Sequence, residues 1–107
     1  MVAMTMLVDK QVEGRRTRLC FAGELTIYDA AALQQTLLAC LDESDTIELD
    51  LAAVTELDTA GFQQLYLLQR ESRAADKRMH ICAHSPATRE VFELLRADAL
   101  FDEAASG

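Results

Sequence analysis

The stretch Ile47-Glu48-Leu49-Asp50-Leu51-Ala52-Ala53-Val54-Thr55-Glu56-Leu57-Asp58-Thr59-Ala60-Gly61-Phe62-Gln63-Gln64-Leu65-Tyr66-Leu67-Leu68 decides the fold. Its opening alternates apolar and acidic residues, which predicts a strand over 46–51 with one buried face. A polar loop is expected next. Asp58-Thr59-Ala60-Gly61 then leads into an apolar pattern at helical spacing, with Phe62, Leu65, Tyr66, Leu68 and Gln69 in the helix. Thr59 is thus expected at a helix N-terminus, where unpaired N–H groups and the positive end of the helix dipole gather. A hydroxyl there can cap the helix. It can also carry a phosphate, because the same N–H groups can receive phosphate oxygens and Asp58 would sharpen the change in charge.

Outward from this centre, strands and helices alternate. Residues 4–8 and 17–22 read as two strands with a hairpin turn at Glu13-Gly14, and Gly23 is expected to end the second. Thr26-Ile27-Tyr28-Asp29 reads as a helix start, with Thr26 as cap. Ala30, Leu33, Leu37 and Leu41 follow at helical spacing, joined by Leu38. Beyond the central helix, residues 79–83 read as a fourth strand. Ser85-Pro86 opens a third helix, with Ser85 as cap, Pro86 in the first helical position and Val91, Leu94 and Leu95 on the buried face. Asp98-Ala99-Leu100-Phe101 is expected to begin a tail that packs back on the sheet. The order β-β-α-β-α-β-α implies parallel crossovers with an antiparallel opening hairpin. The expected fold is α/β: a mixed sheet of four or five strands with helices mainly on one face.

Composition narrows the function. The 107 residues suit a single domain, 1–107, and half are hydrophobic, enough for a small core. No apolar stretch is long enough to cross a bilayer, and the start has no basic n-region or cleavage site. The chain is expected to be cytoplasmic, with no direct membrane insertion. A net charge of −8 argues against nucleic acid and favours a basic protein partner. Arg15, Arg16 and Arg18 read as solvated hairpin charges. Cys20, Cys40 and Cys82 lie in apolar segments and are expected to be buried, reduced thiols.

Little here points to catalysis. His80, Cys82 and His84 alternate on a strand and could be weighed as zinc ligands, but a fourth ligand is not evident, and His84 is expected past the strand end. No glycine-rich phosphate loop and no nucleophile motif is present. Glu48, Asp50 and Glu56 are expected to be strand-face or solvated carboxylates. The expectation is a non-enzymatic protein without metal or cofactor.

Three segments, in order, resemble the anti-sigma-factor antagonists, the STAS domains. Gly23-Glu24-Leu25-Thr26 is similar to their Gly-Glu-Leu-Asp. Leu49-Asp50-Leu51 through Asp58-Thr59-Ala60-Gly61-Phe62 is similar to their Leu-Asp-Leu…Met-Asp-Ser-Ser-Gly-Leu. Cys82 to Phe92 is similar to their strand-to-helix stretch with Ser-Pro. The resemblance covers nearly the whole chain. It implies a switch in which the unmodified protein binds a serine/threonine kinase that is also an anti-sigma factor. That kinase phosphorylates the hydroxyl after the motif aspartate, and a phosphatase resets it. Thr59 matches the phosphoacceptor, and Glu24, Leu25, Thr26, Asp58, Thr59 and Gly61 match the partner-binding surface, with Gly61 as the glycine that allows close approach. Three positions depart from the family pattern: Thr59 replaces the usual serine, Ala60 removes a second hydroxyl, and Thr26 replaces a frequent aspartate. A chain with Asp-Thr here also resembles the small cytoplasmic subunit of lipid-transporting ABC complexes, which implies the ATPase subunit as an alternative partner.

Overall fold

The computed structural model describes residues 6–26 and 30–97. Strands β1 (Met6–Glu13) and β2 (Arg16–Leu25) form an antiparallel hairpin. Gly14 and Arg15 make its two-residue turn, and Gly14 takes φ +60°, a conformation glycine reaches without steric cost. Strands β3 (Thr46–Leu57) and β4 (Arg78–His84) continue the sheet in parallel, giving the order β1-β2-β3-β4.

Alternation divides the sheet into two faces. Thr17, Leu19 and Phe21 of β2, Ile47, Leu49 and Leu51 of β3 and Met79 of β4 are buried on one of them. Helices α1 (Ala30–Glu43), α2 (Thr59–Ala74) and α3 (Pro86–Leu94) cover that face, contributing Leu33, Leu37, Cys40 and Leu41, then Leu65 and Leu68, then Phe92. The other face is polar. There Arg16 pairs with Glu48, and Arg18 with Asp50 at 3.1 Å, across the β2–β3 seam, while Arg15 pairs with Asp45 at 3.0 Å near the hairpin. The arginine cluster is thus matched carboxylate by carboxylate. Exposed pairs of this kind contribute about 0–1 kcal/mol each.

The structure differs from the sequence expectations at several places, each for a local reason. β3 does not stop at Leu51. It runs to Leu57, because two extra residues on its side of the β2 pairing, between Cys20/Ala22 and between Gly23/Glu24, break the alternation. Leu51, Val54 and Leu57, three residues apart, therefore all point inward. β2 likewise continues past Gly23, which takes φ +96° beside the second irregularity, and ends at Leu25. A third irregularity in the β3–β4 pairing leaves Cys82 exposed and brings His84 within β4, its ring edge-on to Phe92 at 4.8 Å. Of the three thiols only Cys40 is buried, and Cys20 is half-buried.

Leu38, Leu94 and Leu95 are exposed rather than inward. α3 is only nine residues long, and Thr88 and Phe92, one turn apart, already fill its buried face. α2 and α3 both end without glycine. Asp76 (φ 58°) and Arg96 (φ 51°) take the left-handed position instead. The paired bonds Asp76 N–H to Arg73 O and Lys77 N–H to Ser72 O close one end, and Arg96 N–H to Glu93 O and Ala97 N–H to Phe92 O close the other. The start of α1 at Asp29 and the tail from Asp98 lie outside the described residues.

Candidate functional site

Two of the three parallel strands, β2 and β3, end level with each other, while β4 ends earlier, level with Leu51. Leu25, Leu57 and His84 are the last residues of β2, β3 and β4, and the chain turns from each toward a helix. In open sheets of this kind the carboxyl ends of parallel strands are where binding sites collect. Parallel pairing sets Glu24 beside Glu56 and Leu25 beside Leu57. The two leucines point into the core, at 0% and 7% exposure, so the two glutamates stand side by side on the opposite face. Glu56 is separated from Asp58 only by Leu57, in a chain of net charge −8.

Asp58 turns the chain from β3 into α2. Its backbone is extended, at φ −98° and ψ 179°, and its N–H donates to the Leu25 carbonyl at 3.2 Å. Its side chain is the helix cap: Oδ1 accepts the Gly61 N–H at 2.8 Å, while the backbone carbonyl accepts the Phe62 N–H at 2.9 Å. Thr59 is therefore not the cap. It is the first residue inside α2, and it is exposed. The carboxylate does the capping and leaves the hydroxyl on the surface.

Gly61 is buried. A Cβ placed on it would lie 2.3 Å from the Leu25 carbonyl oxygen and 3.1 Å from Leu57 Cδ1. The close approach that its missing side chain permits is between α2 and the chain's own β2. Thr26, just beyond β2, is 7% exposed, and its Oγ1 has no hydrogen-bond partner among the described residues. Glu24, Leu25, Thr26, Asp58, Thr59 and Gly61 thus gather at one end of the sheet, but in two layers. Thr59, Asp58 and Glu24 reach the surface, and Leu25, Thr26 and Gly61 lie beneath it. Glu56 belongs with the upper layer. Only the register of β3 against β2, set by the two irregularities, reveals it.

The third strand end is occupied structurally. Ser85 Oγ accepts the Thr88 N–H at 3.1 Å, and Thr88 Oγ1 accepts the Ser85 N–H at 2.9 Å, a reciprocal cap for α3. His84 Nδ1 lies 3.0 Å from the same Thr88 hydroxyl. This bonding and the Phe92 contact hold His84 on the helix side, apart from exposed Cys82. Among the described residues no three His, Cys, Asp or Glu side chains gather to hold a metal ion. No helix among them is long and apolar enough to cross a membrane.

A family model described as "Mlab, STAS domain" matches residues 8–102. An anti-sigma factor antagonist from Mycobacterium paratuberculosis superposes with a TM-score of 0.79 at 24% identity, covering 94% of this chain and 92% of its own. The anti-sigma factor antagonist SpoIIAA in its unphosphorylated form gives 0.76 at 18% identity, covering 88% and 84%. The phosphorylated form of SpoIIAA, a Bacillus cell fate determinant, gives 0.69 at 18% identity, covering 84% and 82%. At these identities the likeness is one of fold. No curated protein matches the chain significantly. With nearly its whole length matched by the family model, the chain belongs to the STAS domain family.

Proposed function

We propose that this STAS domain is an anti-sigma-factor antagonist-like regulator, which binds a partner kinase through the carboxyl end of its parallel strands and is released by phosphorylation of Thr59. One observation carries the reading. Asp58 caps α2, so the exposed Thr59 hydroxyl at the helix start has no capping work and is open to a partner and a kinase. The two SpoIIAA structures support it, because proteins of this fold are known in unphosphorylated and phosphorylated forms.

The chemistry is a phosphoryl transfer. The Thr59 Oγ1 attacks the terminal phosphorus of ATP, the bond to the ADP oxygen breaks with its electron pair staying on ADP, and the hydroxyl proton passes to a base of the kinase. The product adds about −1.5 to −2 charges. It stands beside Asp58, whose carboxylate already holds the Gly61 N–H that a phosphate at a helix start could otherwise take. Glu24 and Glu56 add negative charge on the same end of the sheet. A partner that accepts the neutral hydroxyl gains about 1 kcal/mol from one hydrogen bond. Covering an unpaired dianion would cost it several times more. Asp58, Thr59 and Glu24 make the contact surface, while Leu25, Thr26 and Gly61 shape it from below.

A second reading is favoured by the family description itself, which names Mlab. In it the same surface binds the ATPase subunit of a lipid-transporting ABC complex, and Thr59 is a permanent contact. Retention from a lysate of the native host on immobilised wild type, Thr59→Ala and Thr59→Glu separates the two. The switch predicts a kinase held by wild type and Thr59→Ala and lost from Thr59→Glu. Equal retention on all three baits overturns it, and a transporter ATPase held by all three supports the second reading.

A further inference from the structure

Between α1 and α2, away from the Thr59 surface, lies an open groove of about 290 Å³. We infer that it is a second protein-docking surface. Its occupant is a helical segment that presents an apolar side chain flanked by an N–H donor on one side and an arginine on the other. The inference goes beyond the Thr59 reading and does not depend on it.

The floor is apolar: Leu37 and Leu68 are buried, and Leu38 and Leu67 line the sides. Leu38 is 40% exposed, although it sits on a helix with a well-filled core face. Two polar groups mark the ends of the α2 wall. Gln64 Oε1 is buried without a hydrogen-bond partner among the described residues, and Glu71 is exposed. Gln64, Leu67 and Glu71 follow one another at helical spacing, so acceptor, leucine and carboxylate form one stripe about 10 Å long.

The stripe specifies its complement. A buried acceptor left unpaired costs about 1–3 kcal/mol. Gln64 Oε1 is closed to solvent, so a donor from outside recovers this once the flexible amide turns into the groove. The carboxylate, in a chain of net charge −8, favours a cation, and arginine combines donors with an apolar stem that can lie along Leu67. The volume sits at the lower edge of the roughly 300–1,000 Å³ typical of small-molecule pockets. It suits one or two inserted side chains, as when an amphipathic helix docks in a groove.

The probe is a blocked helical peptide carrying asparagine, leucine and arginine one turn apart on a single face. A control peptide carries glutamate in place of the arginine. Amide shifts are followed by NMR as each is added to the full chain up to about 1 mM, the weak end of measurable affinity. The arginine peptide is expected to shift Leu38, Gln64, Leu67 and Glu71, and to bind at least about tenfold more tightly than the control. Leu38→Glu and Glu71→Lys, both at exposed positions, should each weaken binding by a similar factor while leaving the melting curve unchanged. No shifts, shifts centred elsewhere, or equal binding of the two peptides overturns the inference. Thr59 variants do not enter this test, so either reading can fail without the other.

Discussion

Gly61→Ala tests how α2 meets the sheet. The added methyl would stand 2.3 Å from the Leu25 carbonyl oxygen and 2.9 Å from its carbonyl carbon, both backbone atoms that cannot rotate away. To reach 3.0 Å, below which such contacts essentially never occur, the helix start must retreat by about 0.7 Å. Overpacking of this kind costs about 1–3 kcal/mol. The same carbonyl accepts the Asp58 N–H at 3.2 Å, and stretching that bond adds about 1 kcal/mol. Against this, alanine in place of glycine favours a helix by at most about 1 kcal/mol. The balance is a loss of about 1–3 kcal/mol, or a fall in melting temperature of roughly 5–20 °C for a domain of this size. Thermal and urea denaturation followed by circular dichroism measure it. An alanine variant as stable as wild type, or more stable, would refute the close packing of Gly61 on β2. The larger Gly61→Arg should disrupt the fold at this end of the sheet, so it cannot report on partner binding alone.

Asp58→Ala should cost about 1 kcal/mol through loss of the cap, whereas Thr59→Ala should stay within about 0.5 kcal/mol of wild type, both read from urea midpoints. The reverse order would restore Thr59 as the cap. Arg96→Gly should raise stability by about 0.5–1 kcal/mol by relieving a left-handed arginine at φ 51°, and a lower melting temperature would contradict that account of the α3 terminus. The Ala52 N–H, and after it Arg18, hold the Asp50 carboxyl below its ordinary pKa. A depressed folded-state pKa gives stability that is present above the unfolded value, about 3.9, and lost as pH falls through the folded one. Asp50→Asn should therefore lower stability at neutral pH and flatten its decline below about pH 4. An acid limb as steep as that of wild type would count against this role for Asp50.

The order of elements was legible because hydrophobic period and caps agree along most of the chain. Ser85-Pro86 marks the start of α3 without ambiguity, and the structure adds Thr88 as its reciprocal partner. The ends of β2 and β3 were not legible. Irregular pairing carries Leu51, Val54 and Leu57 inward at a spacing of three, which mimics a loop when read for alternation. The same register hides Glu56 beside Glu24. At the α2 start two capping residues stood next to each other, Asp58 and Thr59. The sequence reading takes Thr59 as the capping residue and misses Asp58, since the choice depends on which one remains extended, and Asp58 does so with its N–H bonded to Leu25. Helix ends were obscured because Asp76 and Arg96 occupy positions where glycine is the usual signal. Leu94 and Leu95 looked inward because their spacing from Val91 is helical, yet Thr88 and Phe92 fill that side of a short helix.

The most direct test of the switch is phosphosite mapping by mass spectrometry on the protein isolated from its native host, across growth and stress conditions. The account predicts a phosphate on Thr59 whose occupancy changes with condition, and a phosphorylated fraction that no longer copurifies with the partner. Thr59 unmodified under every condition, or a Thr59-phosphorylated form that still carries its partner, would contradict it.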